Sequence, residues 1–125
     1  VCVGMQMMGD MSEEGKIPGL SWIKGKTKSF KNIDHFNLPL PHMGWNTINI
    51  KSATKLFYNI DIDSEFYFLH SYYYEGFDNS SSIDYSDYGH EFTCAINMQN
   101  IYGVQFHPEK SHQSGITILK NFSSI

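Results

Sequence analysis

Pro108, set between His107 and Glu109 where the apolar run Gly103–Phe106 ends, constrains this chain more than any other residue. Its ring fixes its own φ and pushes the preceding residue out of the α region, so His107 leaves the run extended. In an extended chain residues i and i+2 face the same way, which predicts that His107 and Glu109 project together. Glu109 would then hold the imidazole in one tautomer and stabilise it once charged, the orienting role of the acid in a Cys/His/acid triad. The same segment also reads as a histidine at a strand end beside a solvated glutamate, so it acquires meaning only with a nucleophile.

A candidate nucleophile stands at the other end, in Val1-Cys2-Val3-Gly4-Met5-Gln6. The thiolate, not the thiol, attacks carbonyls, and a helix N-terminus with a nearby imidazole lowers a cysteine pKa. Gly4 fits a tight strand-to-helix turn in which a β-carbon would clash. The N–H of Val3, directly after the sulfur-bearing residue, is a natural oxyanion donor. The alternative is that Cys2 packs as a small hydrophobe.

Between these ends the chain reads as mixed strands and helices. Val3–Met8 reads as a short helix, and Asp10–Gly19, polar and punctuated by Gly and Pro, as a loop. Leu20–Ile23 and Thr27–Phe30 suggest a hairpin about Lys24-Gly25-Lys26. Pro39 and Pro41 exclude a regular element over His35–Gly44. Trp45–Ile50 and Phe66–Tyr73 read as strands, with a helical turn near Thr54–Tyr58. Asn79–Tyr88 is rich in serine and aspartate and reads as the most mobile loop. Glu91–Met98 and Ile101–His107 form a hairpin around Gln99-Asn100, and Ser111–Phe122 a terminal helix. In that helix Ile116, Leu119 and Phe122 make the apolar stripe and Ser111 the N-cap. Such a mixture suits an α/β layered fold with a nucleophile at a strand-to-helix turn.

Composition serves mainly to exclude. A length of 125 residues allows one domain at most. A formal charge of -4 and a pI near 5.8, with no basic patch, argue against a nucleic-acid binder. No apolar run reaches membrane-span length, and no stretch reads as a signal peptide. With Cys2 a candidate nucleophile and Cys94 inside a strand-like run, a reduced, cytoplasmic setting is expected. His35, His90 and His112 sit in polar surroundings, and no histidine pair has the i,i+4 spacing of a zinc helix, so no metal is predicted.

Five strings occur in order between the two ends. They are Ser12-Glu13-Glu14-Gly15, Pro18-Gly19-Leu20, Leu40-Pro41-His42-Met43-Gly44-Trp45-Asn46, Phe68-Leu69-His70-Ser71-Tyr72 and Phe106-His107-Pro108-Glu109-Lys110-Ser111. Together with Cys2 they make the chain resemble the class I, triad-type glutamine amidotransferases from residue 1 to about residue 122. The Pro-His-Met-Gly-Trp-Asn string is the most specific piece. The resemblance implies a flavodoxin-like layered α/β domain of which residues 1–125 are the C-terminal part only. Family members place several strands earlier, including a loop that gives a second oxyanion donor.

Roles follow from the resemblance residue by residue. Cys2 attacks the side-chain amide of glutamine, His107 shuttles the proton and Glu109 orients it. Gln6 and Glu14 hold the substrate, with Glu14 meeting its α-ammonium, while Ser71 and Tyr72 contact it through backbone groups and Val3 supplies the oxyanion N–H. No cofactor is implied. The strings point to the branch that passes ammonia to a (β/α)8 cyclase subunit in histidine biosynthesis, with Met43, Trp45, Tyr67 and Lys110 facing that partner. Tyr72-Tyr73-Tyr74 and the stretch Asn79–Ser82 leave open a related subunit that supplies ammonia for amidino-sugar synthesis. A fragment that only docks on a cyclase is the third alternative.

Overall fold

The computed structural model describes residues 1–125. After a turn at Cys2 comes one short helix, α1 (Val3–Gln6), then β1 (Met11–Ser12), β2 (Gly25–Ser29), β3 (His42–Thr47) and β4 (Glu65–His70). They are followed by β5 (Tyr72–Gly76), β6 (Ser82–Asp87), β7 (Glu91–Met98), β8 (Ile101–Val104) and the helix α2 (His112–Phe122). Single 3-10 turns occupy Phe30–Asn32, Lys55–Phe57 and Pro108–Lys110. The main sheet runs β1-β2-β5-β7-β6, with β8 also on β7; β3 and β4 form a separate antiparallel pair. Only β1 and β2 pair in parallel.

Burial explains the pairing. Phe92, Thr93, Cys94, Ala95 and Ile96 are all buried, the mark of a central strand covered on both faces. In β4 the alternation is clean: Phe66, Phe68 and His70 point inward, while Tyr67 and Leu69 are half-buried. Phe30, Phe66, Phe68, Phe92 and Phe106 form the aromatic centre of the core, with the Phe66 and Phe106 rings 4.3 Å apart. Each such ring contributes roughly 1.5–3 kcal/mol by leaving water. Because Phe106 directly precedes His107, core packing anchors the turn that carries the histidine. Helix α2 locks the other side of that turn, since a Cβ on Gly115 would stand 1.8 Å from the Pro108 carbonyl oxygen.

The β7–β8 hairpin, the turn near Thr54–Tyr58 and the terminal helix form where the sequence places them. Other expectations are corrected. Leu20–Ile23 makes no strand: the N–H groups of Leu20, Trp22 and Ile23 bond the Met7 and Met8 carbonyls, and β2 pairs with β5 instead of a hairpin partner. The Phe66–Tyr73 run breaks at Ser71 into two strands that enter different sheets. The strand expected from Trp45 starts earlier, at His42, immediately after Pro41. Asn79–Tyr88, read as a mobile loop, contains β6. Its Asp84 is buried because the carboxylate accepts N–H bonds from Lys51 and Ser52, both at 2.7 Å, and the Ser52 hydroxyl at 2.6 Å.

Helix α2 buries Ile118 and Gly115, leaving Ile116, Leu119 and Phe122 half exposed at 57%, 49% and 52%. Ser111 does not cap it. The Ser111 hydroxyl donates to the His107 carbonyl at 2.6 Å and accepts the Tyr67 N–H at 3.0 Å, stitching the His-Pro-Glu turn to β4. No helix is long and apolar enough to cross a membrane.

Candidate active site

Three distant segments converge: the Cys2 turn, the β4–β5 junction and the turn after β8. Cys2 has φ 48° and ψ -113°, a region that costs a non-glycine residue on the order of 1–3 kcal/mol. Strain of this kind is what a sharp nucleophile turn stores. The Cys2 N–H donates to Val104 O at 2.8 Å, so β8 holds the turn. The Val3 N–H makes no bond to another backbone group and bears on the Cys2 sulfur instead. A Cβ on Gly4 would meet nothing within 4 Å, so the strained position is Cys2 itself and not the glycine.

Strand β4 sets the spacing of the reactive groups. The His107 N–H donates to Tyr67 O at 2.8 Å, and the Cys2 thiol faces Leu69 O at 3.8 Å. These carbonyls are two residues apart on one strand edge, so they lie about 7 Å from each other. His107 Nδ1 is 2.7 Å from Glu109 Oε1. The 3-10 turn, not an extended chain, returns this carboxylate to the ring. Burial, the largest single influence on Glu109, pushes it up, but the His107 bond, a backbone bond and neighbouring positive charge together hold it below its ordinary value.

His107 Nε2 is buried without a hydrogen-bond partner. Sγ makes no bond to it, and accepts instead from Gln105 Nε2 at 3.4 Å. Burial raises the Cys2 thiol above its ordinary value, outweighing the lowering by the Val3 N–H and Gln105. The expectation of a depressed pKa is thereby corrected: this turn of helix is short, the sulfur is half-buried, and the imidazole does not bond it. The resting sulfur is a thiol, and its activation needs a base.

A cleft of about 370 Å³ opens on the sulfur and is lined by Cys2, Val3, Gln6, Glu14, Ser71 and Tyr72 among others. That volume lies within the roughly 300–1,000 Å³ of small-ligand sites. Glu14 is exposed at the rim, as a carboxylate meeting a ligand cation needs to be. Gln6 is more enclosed: its amide nitrogen donates to Tyr72 O and to Gln105 Oε1, both at 3.0 Å.

Behind this wall lies a buried histidine pair. His42 Nδ1 is 2.9 Å from His70 Nε2, and His70 Nδ1 is 2.8 Å from Tyr72 O. Burial drives both down, His42 to about 4 and His70 to about 3, so both are neutral near pH 7. Sequence reasoning missed Gln105, which touches the sulfur. A usable signal existed: it lies two residues before His107 in a strand-like run, hence on the same side.

Met43, Trp45, Tyr67 and Lys110 form one patch. Trp45 pairs with Tyr67 across β3 and β4, their rings 5.9 Å apart, and Lys110 Nζ stands 5.8 Å from the Tyr67 ring. Met43 and Trp45 are 64% and 43% exposed, so Trp45 is no core residue. No group of three His, Cys, Asp or Glu side chains converges as metal ligands do.

Residues 1–124 match the family model described as glutamine amidotransferase class-I. The imidazole glycerol phosphate synthase subunit HisH of Bdellovibrio bacteriovorus is 48% identical over 126 residues, covering 100% of this chain and 62% of that protein. The HisH subunit of Leptospira interrogans is 50% identical over 127 residues, with 100% and 62% covered. A putative GMP synthase subunit protein from Thermoplasma acidophilum shares the fold, with a TM-score of 0.59 at 16% identity over 80% of this chain and 47% of that one. The chain thus spans 62% of the length of these two relatives.

Proposed function

This chain belongs to the class-I glutamine amidotransferase family, and from that premise we propose that the protein carrying it hydrolyses glutamine and delivers the ammonia to a (β/α)8 cyclase subunit in histidine biosynthesis. One observation carries the reading: the cleft on Cys2 gathers Val3, Gln6, Glu14, Ser71 and Tyr72, which lie far apart in sequence, beside a carboxylate-bound imidazole with an unpartnered nitrogen.

Glutamine enters with its α-ammonium toward Glu14 and its side-chain amide toward Cys2. The thiol swings from Leu69 O to His107 Nε2, which takes its proton as sulfur attacks the amide carbon. The Val3 N–H meets the oxyanion. The imidazolium, held through Nδ1 by Glu109, returns the proton to the departing nitrogen, and ammonia leaves. Water, deprotonated by the same ring, then hydrolyses the γ-glutamyl thioester to glutamate and free thiol. Movement of the sulfur on substrate binding is ordinary, since catalytic hydrogen bonds tighten in the substrate complex.

The names of the relatives support histidine biosynthesis over amidino-sugar assembly as the destination. The patch of exposed Met43, Trp45 and Lys110 with half-buried Tyr67 supports a partner surface, because aromatic anchors with a flanking cation suit an interface centre. The test is Cys2→Ala in the full-length protein with its cyclase. Glutamine-dependent synthesis should vanish while synthesis from added ammonia persists. Continued glutamine hydrolysis by that variant would refute the assignment of the nucleophile.

A further inference from the structure

Gln105 is fully buried and lies outside every role assigned above. Its carboxamide has two ends, and the surrounding bonds decide which end faces the sulfur. The Tyr72 carbonyl can only accept, so the end of Gln6 that lies 3.0 Å from it is the amide nitrogen. The second hydrogen on that nitrogen points at Gln105, also at 3.0 Å, and therefore requires the Gln105 oxygen there. Reversing Gln105 would set two donors against each other. Its NH2 is thus the end directed at Cys2 Sγ, 3.4 Å away.

The histidine pair keeps this arrangement in place. Because Tyr72 O is an acceptor, His70 Nδ1 carries hydrogen and its Nε2 accepts from His42 Nδ1. His42 Nε2 is then left to accept from Asn46 Nδ2 at 3.4 Å. Tyr72 O receives donors from both His70 and Gln6, which fills its two lone pairs and leaves the Gln6 amide one orientation.

We propose that Gln105 is a further catalytic residue, its N–H locked onto Cys2 Sγ by Gln6 to hold the sulfur in place and stabilise it as thiolate. The proposal rests on Cys2 being the nucleophile. A donor aimed at sulfur favours the charged form, which is the form that attacks. It works against the burial that otherwise favours the neutral thiol. Apart from Gln105, the charged group bearing on this sulfur is the Glu109 carboxylate, which also favours the neutral thiol; His107 Nε2, unpartnered, is the proton acceptor.

The experiment measures alkylation of Cys2 by iodoacetamide against pH in the full-length protein, read by mass spectrometry. Cys94, fully buried, serves as the unreactive control. Q105E keeps the shape and removes the donor; Q105M removes it without adding charge; Q6M removes the donor that fixes the Gln105 oxygen and so frees its amide to turn. Each is checked for folding by circular dichroism, and any folded member decides the question. The midpoint should rise by about one pH unit, a ~10-fold loss of thiolate below it. A folded variant whose Cys2 profile superimposes on wild type overturns the inference. Failure of the underlying reading looks different: Cys2→Ala would then still hydrolyse glutamine, whatever Q105M does to alkylation.

Discussion

Acidification should unfold this protein through two neutral, buried histidines well before its carboxylates titrate. His42 and His70 are 3% and 6% exposed, and burial lowers them from 6.5 to about 4 and about 3. Above pH 6.5 neither the folded nor the unfolded chain binds a proton at these rings. Between 6.5 and about 4 the unfolded chain binds both protons and the folded chain refuses them, so stability falls as pH falls. Below about 3 both states are protonated and the loss stops growing. Each refused proton costs about 1.4 kcal/mol per pH unit. Two rings over the two units from pH 6.5 to 4.5 therefore remove about 5 kcal/mol, a large share of the roughly 5–15 kcal/mol that holds a domain folded. The lowered carboxylate Glu109 acts in a separate window, below its ordinary value, where its stabilisation is lost as pH drops further. Urea unfolding by circular dichroism at pH 7, 6 and 5 measures the slope, and the double variant His42→Leu/His70→Leu should flatten it. Equal unfolding free energies at pH 7 and 5 in the wild type, or ring signals titrating near 6.5 by NMR, would refute the reasoning.

Gly115→Ala should destabilise by about 1–3 kcal/mol and displace the His-Pro-Glu turn, because the new Cβ would sit 1.8 Å from Pro108 O; a wild-type thermal midpoint would show that the helix and turn tolerate separation. Trp45→Ala should weaken cyclase binding by about 2 kcal/mol, roughly 30-fold, with little change in unfolding midpoint. Calorimetric titration showing the reverse pattern would return Trp45 to a packing role. His107→Ala should lower glutamine turnover by roughly 10²–10⁴-fold, and Glu109→Ala by less, since its half-exposed carboxylate orients the ring and solvent screens its charge. Equal losses in steady-state kinetics would contradict that division.

Local chemistry was legible where a residue's own constraints decide the outcome. Gln99-Asn100 between two apolar runs gave the β7–β8 hairpin, and the turn around Lys55–Phe57 and the terminal helix appear where the pattern puts them. Outcomes that depend on a distant partner were not legible. The serine- and aspartate-rich run became β6 because it pairs along its length with β7, with Ser52 and the Lys51 N–H satisfying the buried Asp84 carboxylate. Leu20–Ile23 lost its strand because the Met7 and Met8 carbonyls took its N–H groups. In α2, spacing identified a helix, but the turn at Pro108 chose Gly115 and Ile118 as the buried face.

The sequence alone determined the family and the candidate reactive groups, because sulfur, imidazole and carboxylate come in strings whose chemistry is local. Tertiary structure decided their relations: which carbonyl each faces along β4, that the thiol rests protonated, and that Gln105 and the histidine pair stand behind it. The reason is physical. Hydrogen-bond direction and desolvation depend on groups brought close only by folding, and no residue carries that information in its own side chain.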